Sequence, residues 1–471
     1  MKAIVVGSGP NGLAAAITLA RAGHSVELFE AEADIGGSVR SAELTLPGFI
    51  HDRCSAIYPL AAGSPFFRAL PLESAGLHWI HPDLPLAHPI DEDNVVTLRR
   101  SLKETADKLD EDGVAYERLF KPYVRHWGEF AHEFLQPVWH LPQRPLLLGR
   151  FGFFAVQSAA GLARRHFRTE KARALFAGLA AHSFLPLDAW GSAAFGLVLG
   201  AAAHAVGWPI PRGGAQRISD VLAAYLRELG GRVETSRRVS NLEELPPSDV
   251  TLLDLTAWQA ARIANGRLPE NYRRRLERFP HGPGVFKVDF ALSEPIPWRH
   301  EACRRAGTVH VGGTFAEICE SEARVAEGRL SARPFVLVAQ QSAFDDTRAP
   351  DGKHTAWAYC HVPRGWKGDG VSAIEARIER FAPGFRDCIL ARSVSDATRL
   401  EAGNANLVDG DITGGACTLR GLVARPTLGF SPYQTPVPGL FLCSSSTPPG
   451  AGVHGMCGYH AAKAAMRRQP S

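Results

Sequence analysis

Residues 7–12 read Gly7-Ser8-Gly9-Pro10-Asn11-Gly12, between an apolar run, Ala3 to Val6, and a run of helix formers, Leu13 to Ala22, that stops at Gly23. A strand that ends in spaced glycines and opens a helix is suited to holding phosphate. Gly7 permits the tight turn, Gly9 lets backbone approach a pyrophosphate, and Gly12 lets the helix pack close to the strand. Pro10 and Asn11 complete this loop and join the candidate set. The helix N-terminus presents free N–H groups and partial positive charge to the phosphates. Ser25 to Glu30 reads as the next strand. Glu30, at its end, can accept hydrogen bonds from both ribose hydroxyls of an adenosine and would repel a 2′-phosphate. Ala31 follows it in the candidate set. Glycines that only tighten a turn are the plainer alternative.

Two further segments decide which dinucleotide is expected. Ile35-Gly36-Gly37-Ser38-Val39-Arg40 offers a second glycine pair, with a cation that could sit by the diphosphate; a surface turn with a solvated arginine competes with that reading. Near the other end, Gly439 to Ser446 reads as a strand, and Pro449-Gly450-Ala451-Gly452-Val453-His454-Gly455 opens a helix. FAD is longer than NAD, so its ribityl chain and ring need contacts from a distant segment such as this one. A helix N-terminus there can stabilise charge developing around N1 and the C2 carbonyl of a reduced flavin. Three linked signals therefore point to FAD. His454, at the helix start expected under the ring, is the one candidate for acid–base catalysis, against the alternative of a packing histidine. Flavin oxidation needs chiefly a positioned C–H or N–H bond. No H-E-x-x-H or Cys/His ligand spacing is present, so no metal site is expected.

The runs GSGPNGLAAAITLARAGHSVELFE with GGSVR, and GLFLCSSSTPPGAGVHGMCGYHAAKAA, resemble the phytoene desaturase-like FAD-dependent oxidoreductases, close to their pyridine nucleotide-disulphide oxidoreductase domain 2 branch. Pro211-Arg212-Gly213-Gly214 and Gly230 to Val233 extend the likeness. The resemblance implies that Gly7, Gly9, Gly12, Glu30, Gly36, Gly37 and Arg40 hold the ADP half. It also implies that Val239, on the strand after Gly231, meets the adenine through its backbone, and that Gly452, Val453 and His454 lie near the flavin. Relatives carry an acidic residue at the end of the last strand to hold a ribityl hydroxyl. This chain has Ser444, Ser445 and Ser446, and Ser445 is the candidate for that contact. No redox C-x-x-C exists to match the disulphide in the branch name.

Composition agrees with an enzyme of this kind. The chain has 471 residues, 45% hydrophobic and 21% charged, enough for two or three packed units and too apolar for disorder. Net charge is +4 on 52 basic and 48 acidic residues without a sustained basic block, which disfavours nucleic acid as a partner. Eight scattered cysteines suit a reducing cytosol. No segment is long and apolar enough to span a bilayer; Leu146 to Ala163, followed by Arg164, Arg165, His166 and Arg168, reads first as a core helix with a solvated basic end and second as a helix lying on a membrane surface. No second GxGxxG follows a strand, so electrons are expected to leave to oxygen or a quinone.

Along the chain, Ser101 and Glu104 predict a capped helix that Gly113 closes, and Ala215 to Leu229 predicts an amphipathic helix. Pro-rich stretches at His81 to Pro89 and Trp208 to Gly214 read as crossings between domains. Period-two alternation at Phe286 to Leu292 and Trp357 to His361, with Thr308 to Val311 and Phe335 to Ala339, predicts a second sheet. The expected fold is α/β: a Rossmann-like FAD-binding domain (1–95, 205–270 and 395–471) with an inserted α+β substrate domain of mixed or antiparallel sheet plus helices (96–204 and 271–394). The expected activity is two-electron oxidation, desaturation above all, of a hydrophobic small molecule. Flavin amine oxidation, with an aromatic pair drawn from Tyr58, Trp208, Trp357 and Tyr359, is the alternative enzyme. A dinucleotide-binding interaction protein without turnover is the alternative outside enzymology.

Overall fold

Ala3 to Val6 has no polar side chain to keep it at a surface, and it becomes part of the strand Lys2–Val6 at the centre of a five-stranded sheet. In the computed structural model, which describes residues 1–264, 266–429 and 431–467, the order across this sheet is Leu440–Leu442, Val250–Leu253, Lys2–Val6, Ser25–Phe29, Arg232–Glu234. Every pairing is parallel. Parallel neighbours need long crossovers, so the chain must leave this sheet and return.

The first crossover is the helix Pro10–Arg21, buried along most of its length and ended by Gly23 at φ 79°. The C-terminal helix Met456–Met466 lies against it, and the two backbones approach so closely that a Cβ on Gly458 would stand 1.8 Å from the Asn11 carbonyl oxygen.

The excursions build a seven-stranded sheet in the order Ile389–Ser395, Gly284–Leu292, His354–Val362, Val336–Ala339, Ala306–Val311, Leu84–Pro89, Val95–Leu98. It is antiparallel except where Ala306–Val311 runs parallel to Leu84–Pro89. One face carries Phe286, Val288, Phe290 and Leu292 with Val309, Val338, Ala358 and Cys360 in a single apolar cluster. Helices between residues 102 and 205 form the cover of the substrate side, with Glu170–Ala181 and Ala193–Ala205 buried at its centre.

Several expectations change. Leu84–Pro89 is a fully buried strand rather than part of a crossing, because Leu84, Leu86 and Ala87 bury apolar surface despite the prolines at 85 and 89. Residues 84–95 therefore belong with the second sheet and not with the nucleotide-binding strands. The true crossing is a short pairing of Trp79–Ile80 with Ile210–Pro211. Ser101 Oγ does accept from Glu104 N, at 3.2 Å, but that helix is only Leu102–Ala106. Gly113 opens the next helix, Gly113–Arg125, where a Cβ would stand 2.4 Å from the Ala106 carbonyl oxygen. Glycine at 113 is there for close passage, not for a stop. The amphipathic helix is Gln216–Glu228 and presents Ile218, Val221, Leu222 and Leu226 inward.

Gly458→Ala is expected to lower stability by roughly 1–3 kcal/mol through overpacking against backbone that has no rotamer to yield. Gly149→Ala, at an exposed helical glycine with nothing within 4 Å of its Cβ position, is expected to cost nothing. Denaturant unfolding of both variants checks the pair.

Candidate functional site

A cavity of about 430 Å³ runs from the glycine loop, along the edge of the parallel sheet, to the polar face of the seven-stranded sheet. At its first end, Gly7, Gly9, Pro10, Asn11, Glu30, Ala31, Gly37, Ser38, Arg40 and Val239 all line the wall. Gly12 and Gly36 stand just behind it. Gly12 N donates to Asp254 Oδ2 at 2.9 Å, and Gly36 N donates to Ser8 Oγ at 3.0 Å.

Glu30 is held in place before any ligand arrives. Its Oε2 accepts from Ser8 N at 2.9 Å, and its Oε1 accepts from Glu32 N at 3.0 Å. Ser8 Oγ also donates to Oε2, at 2.5 Å, so Oε1 is the oxygen that keeps lone-pair capacity toward the cavity. Arg40 is 4% exposed and is pinned by Nε to Gly37 O at 2.8 Å and by a terminal nitrogen to Gly403 O at 2.7 Å. It is a buried positioning cation, not a solvated one. Val239 lies in the irregular segment beyond Arg232–Glu234 and not on a strand, since that strand ends five residues earlier. It still faces the cavity.

Asp254, which the sequence pattern did not single out, is central. It follows the strand Val250–Leu253 and lines the cavity, and burial pushes its carboxyl up to about 7, with the Glu30 charge adding to the shift. Its main-chain oxygen accepts from Asn406 Nδ2 at 3.0 Å, and Asn404 Nδ2 donates to Ser38 Oγ at 3.1 Å. The loop 403–407 thus closes the wall from far along the chain. An acid at the end of a short apolar strand, Thr251-Leu252-Leu253-Asp254, was the available signal.

At the C-terminal segment, Ser445, Gly452 and Val453 line the cavity. Arg425, fully buried, donates through Nε to Ser445 O at 2.6 Å and through a terminal nitrogen to Thr413 O at 2.6 Å, fixing both walls of that stretch. His454 does not join them. It is 0% exposed, and its Nδ1 accepts from Met456 N at 3.0 Å, so the ring serves the start of the helix Met456–Met466. It sits behind Gly452, whose Cβ position is 3.2 Å from the imidazole Cδ2. The acid–base role suggested for His454 is thereby corrected to a packing and capping role: its ring has no face on the cavity.

The far end is built by the sheet. Lys287, Tyr359, Leu337 and His310 lie abreast across four strands, and Asp289, Trp357, Ala339 and Thr308 form the adjacent row. Period two sends these side chains to the face opposite the apolar cluster. Trp357, Tyr359, Leu337 and Thr308 reach the cavity, with Tyr58, His182, Phe184, Phe195 and Trp208 arriving from helices and loops. Beneath the row, Lys287 Nζ bonds Asp289, His51 Nδ1 lies 3.7 Å from Asp289 Oδ1, and Arg348 pairs with Asp52 at 2.8 Å. Burial raises Asp289 to about 6 and lowers His51 to about 3.

Asp254 gives a pH test. Its folded-state pKa of about 7 stands above the ordinary 3.8, so the fold takes up a proton. The contribution is complete below the ordinary value and is lost as pH rises toward 7, which makes wild-type stability fall across that window. Asp254→Asn, which keeps an acceptor for Gly12 N, is expected to gain over wild type by a few kcal/mol between pH 4 and pH 8, with the gain levelling off above 7. Denaturation midpoints measured across pH check it.

Comparison with known proteins matches residues 5–70 to the NAD(P)-binding Rossmann-like domain. Over 99% of its length the chain is 26% identical to the pyridine nucleotide-disulfide oxidoreductase domain-containing protein 2 of Mus musculus, covering 93% of that protein. It is 24% identical to a phytoene dehydrogenase of Streptomyces griseus over 82% of this chain and 77% of the relative. Among solved structures, cyclohexylamine oxidase from Brevibacterium oxydans superposes with a TM-score of 0.61 at 16% identity, covering 99% of this chain and 98% of that one. The chain is thus an oxidoreductase of Rossmann-like fold, similar over 99% of its length to the first of these relatives and over 82% to the phytoene dehydrogenase.

Proposed function

We propose that the chain binds FAD along this cavity and uses it for two-electron oxidation of an uncharged, apolar small molecule. The observation that carries the reading is the division of the cavity wall. Glu30, Glu32, Arg40, Arg237, Arg238 and Asp254 surround the glycine-loop end, whereas the sheet end presents no ionised side chain to the space. The residues present suit the cofactor. The helix Pro10–Arg21 starts at Gly9 without a side-chain cap; Pro10 has no N–H and Gly12 N is taken by Asp254, so Asn11 N is the first-turn donor left for a diphosphate, and the buried Asn11 Oδ1 has no partner among the described residues. Glu30 orients the ribose, and Ser445, Gly452 and Val453 supply the distant contacts a longer dinucleotide requires. Bound there, FAD would supply the two-electron acceptor for a C–H or N–H bond. Phe184, Phe195, Leu199 and Leu60 exclude water from the same space. Oxygen or a quinone is the proposed final acceptor.

The purified protein is expected to carry a flavin absorption band that survives gel filtration, and Glu30→Ala to weaken FAD binding by about tenfold, the worth of one charge-assisted contact. No band after reconstitution with FAD would remove the reading. Bleaching of that band separates the substrate classes. Apolar uncharged compounds are expected to bleach it; bleaching by amines alone would favour amine oxidation, and no bleaching across the screen would favour binding without turnover. Of the aromatic residues available to an amine site, Trp357 and Tyr359 lie side by side on one strand, 5.3 Å apart and inclined at 50°, rather than facing each other across a gap.

We also propose peripheral contact with an anionic lipid surface through the helix Pro145–Ala155. No helix among the described residues is long and apolar enough to cross a membrane. This one exposes Leu146 (90%) and Phe153 (68%), with Val156 and Trp190 (69%) beside its end. Arg150 on this helix and Arg165 beyond its end have no carboxylate partner among the described residues. Flotation with phosphatidylglycerol-containing vesicles, lost in Phe153→Asp and absent with pure phosphatidylcholine, is the expected result; a protein that stays in the soluble fraction with both overturns it.

A further inference from the structure

The helix Glu170–Ala181 ends at His182, whose ring drops onto the polar face of the seven-stranded sheet. Its Nε2 lies 3.1 Å from His310 Nε2, and Trp208 stands edge-on to the ring with centroids 6.0 Å apart. The imidazole is therefore fixed on two sides. Burial lowers its pKa to about 3, so it is neutral at working pH. The Nε2–Nε2 contact shares one proton, and Nδ1 is the ring nitrogen left to the cavity, since no protein group bonds it among the described residues. Thr308, two residues from His310 on the same face of the same strand, also lines the cavity. It is 5% exposed, and its Oγ1 has no partner among the described residues.

Leaving such groups unpaired against a hydrocarbon costs roughly 1–3 kcal/mol each. An ammonium or carboxylate would find no counter-ion at this end of the wall. A carbonyl only accepts, and would be matched by one tautomer of the histidine pair alone. A hydroxyl both donates and accepts, and is satisfied by either tautomer together with the threonine.

We infer that the apolar end of the cavity holds a hydroxyl-recognising subsite, in which His182 Nδ1 and Thr308 Oγ1 bind the single hydroxyl of an otherwise hydrocarbon substrate. This rests on the reading that the opposite end holds the cofactor. His310 is a positioning residue: it orients His182 and meets no ligand.

The test measures equilibrium binding of 1-decanol, decyl methyl ether and decylammonium to the purified protein incubated with FAD, read from intrinsic tryptophan fluorescence, since Trp208 and Trp357 line the cavity. The alcohol is expected to bind about tenfold more tightly than the ether. That advantage should shrink to within about twofold in Thr308→Val and in His182→Phe. Ether affinity should not fall, since the groups it leaves unpaired are gone, and the flavin spectrum should stay as in wild type. Thr308→Val is nearly isosteric and keeps the test valid if His182→Phe fails to fold. Equal affinity for alcohol and ether in the wild type, an alcohol preference that survives both substitutions, or tightest binding by decylammonium would overturn the inference. Loss of the preference with the flavin band intact removes the subsite alone. A missing flavin band with the preference intact removes the cofactor reading alone.

Discussion

The three glycines of the first loop all abut one residue. A Cβ on Gly7 would stand 2.9 Å from the Asp254 carbonyl oxygen, and on Gly9 or Gly12 it would stand 2.5 or 3.0 Å from Asp254 Oδ2. The loop is therefore shaped from behind by a buried acid as much as from the front by a phosphate. That contact also fixes what lies around it. Asp254 sits at the end of the strand beside Lys2–Val6, and its main chain receives Asn406. The far loop 403–407 is thus registered to the glycine turn. Moving Asp254 would shift the helix N-terminus, the loop wall and the neighbouring strand end together.

The second sheet solves a different problem with the same economy of means. Its strands obey period two, yet both faces are buried. The face with Phe286, Val288 and Phe290 closes an ordinary apolar core. The other face carries Lys287, Asp289, Thr308 and His310 inside the protein, where polar groups are tolerated only when each has a partner. Lys287 has Asp289 Oδ2, and His310 Nε2 has His182, while Asp289 Oδ1 and His310 Nδ1 bond nothing among the described residues. Thr308 Oγ1 and Trp357 Nε1 also have no partner among the described residues, and both residues lie on the cavity wall, where a ligand can complete their pairing.

The nucleotide-binding turn was legible because its chemistry is local. Gly7, Gly9, Gly12 and Glu30 lie within one strand–helix–strand unit, and spacing alone brings them together. The alternation at Phe286 to Leu292 and Trp357 to His361 likewise announced a sheet. What spacing could not give was pairing across the chain. Asp254 and Asn404 reach the wall, and Arg425 reaches the Ser445 carbonyl behind it, only through the parallel order of strands from distant segments. His454 failed for a related reason. Sequence placed it at a helix start, but the rotation of that start, set by Met456 N donating to its ring, turned the imidazole away from the cavity. Leu84–Pro89 was obscured by its prolines, because local composition suggested a linker where burial of Leu84 and Leu86 decided for a strand.

The pairing of Lys2–Val6 with Val250–Leu253, and of that strand with Leu440–Leu442, has a consequence for the order of assembly. During synthesis the first strand and helix emerge long before the segments that cover them. The surface of Pro10–Arg21 that receives Met456–Met466 must wait for nearly the whole chain. Such long-range closure is slow relative to helix formation, and it leaves an apolar helix face and an unpaired strand edge exposed in the nascent protein. The last helix therefore acts as the latch of the nucleotide-binding sheet, and the interval before it arrives is when the chain most needs protection from aggregation.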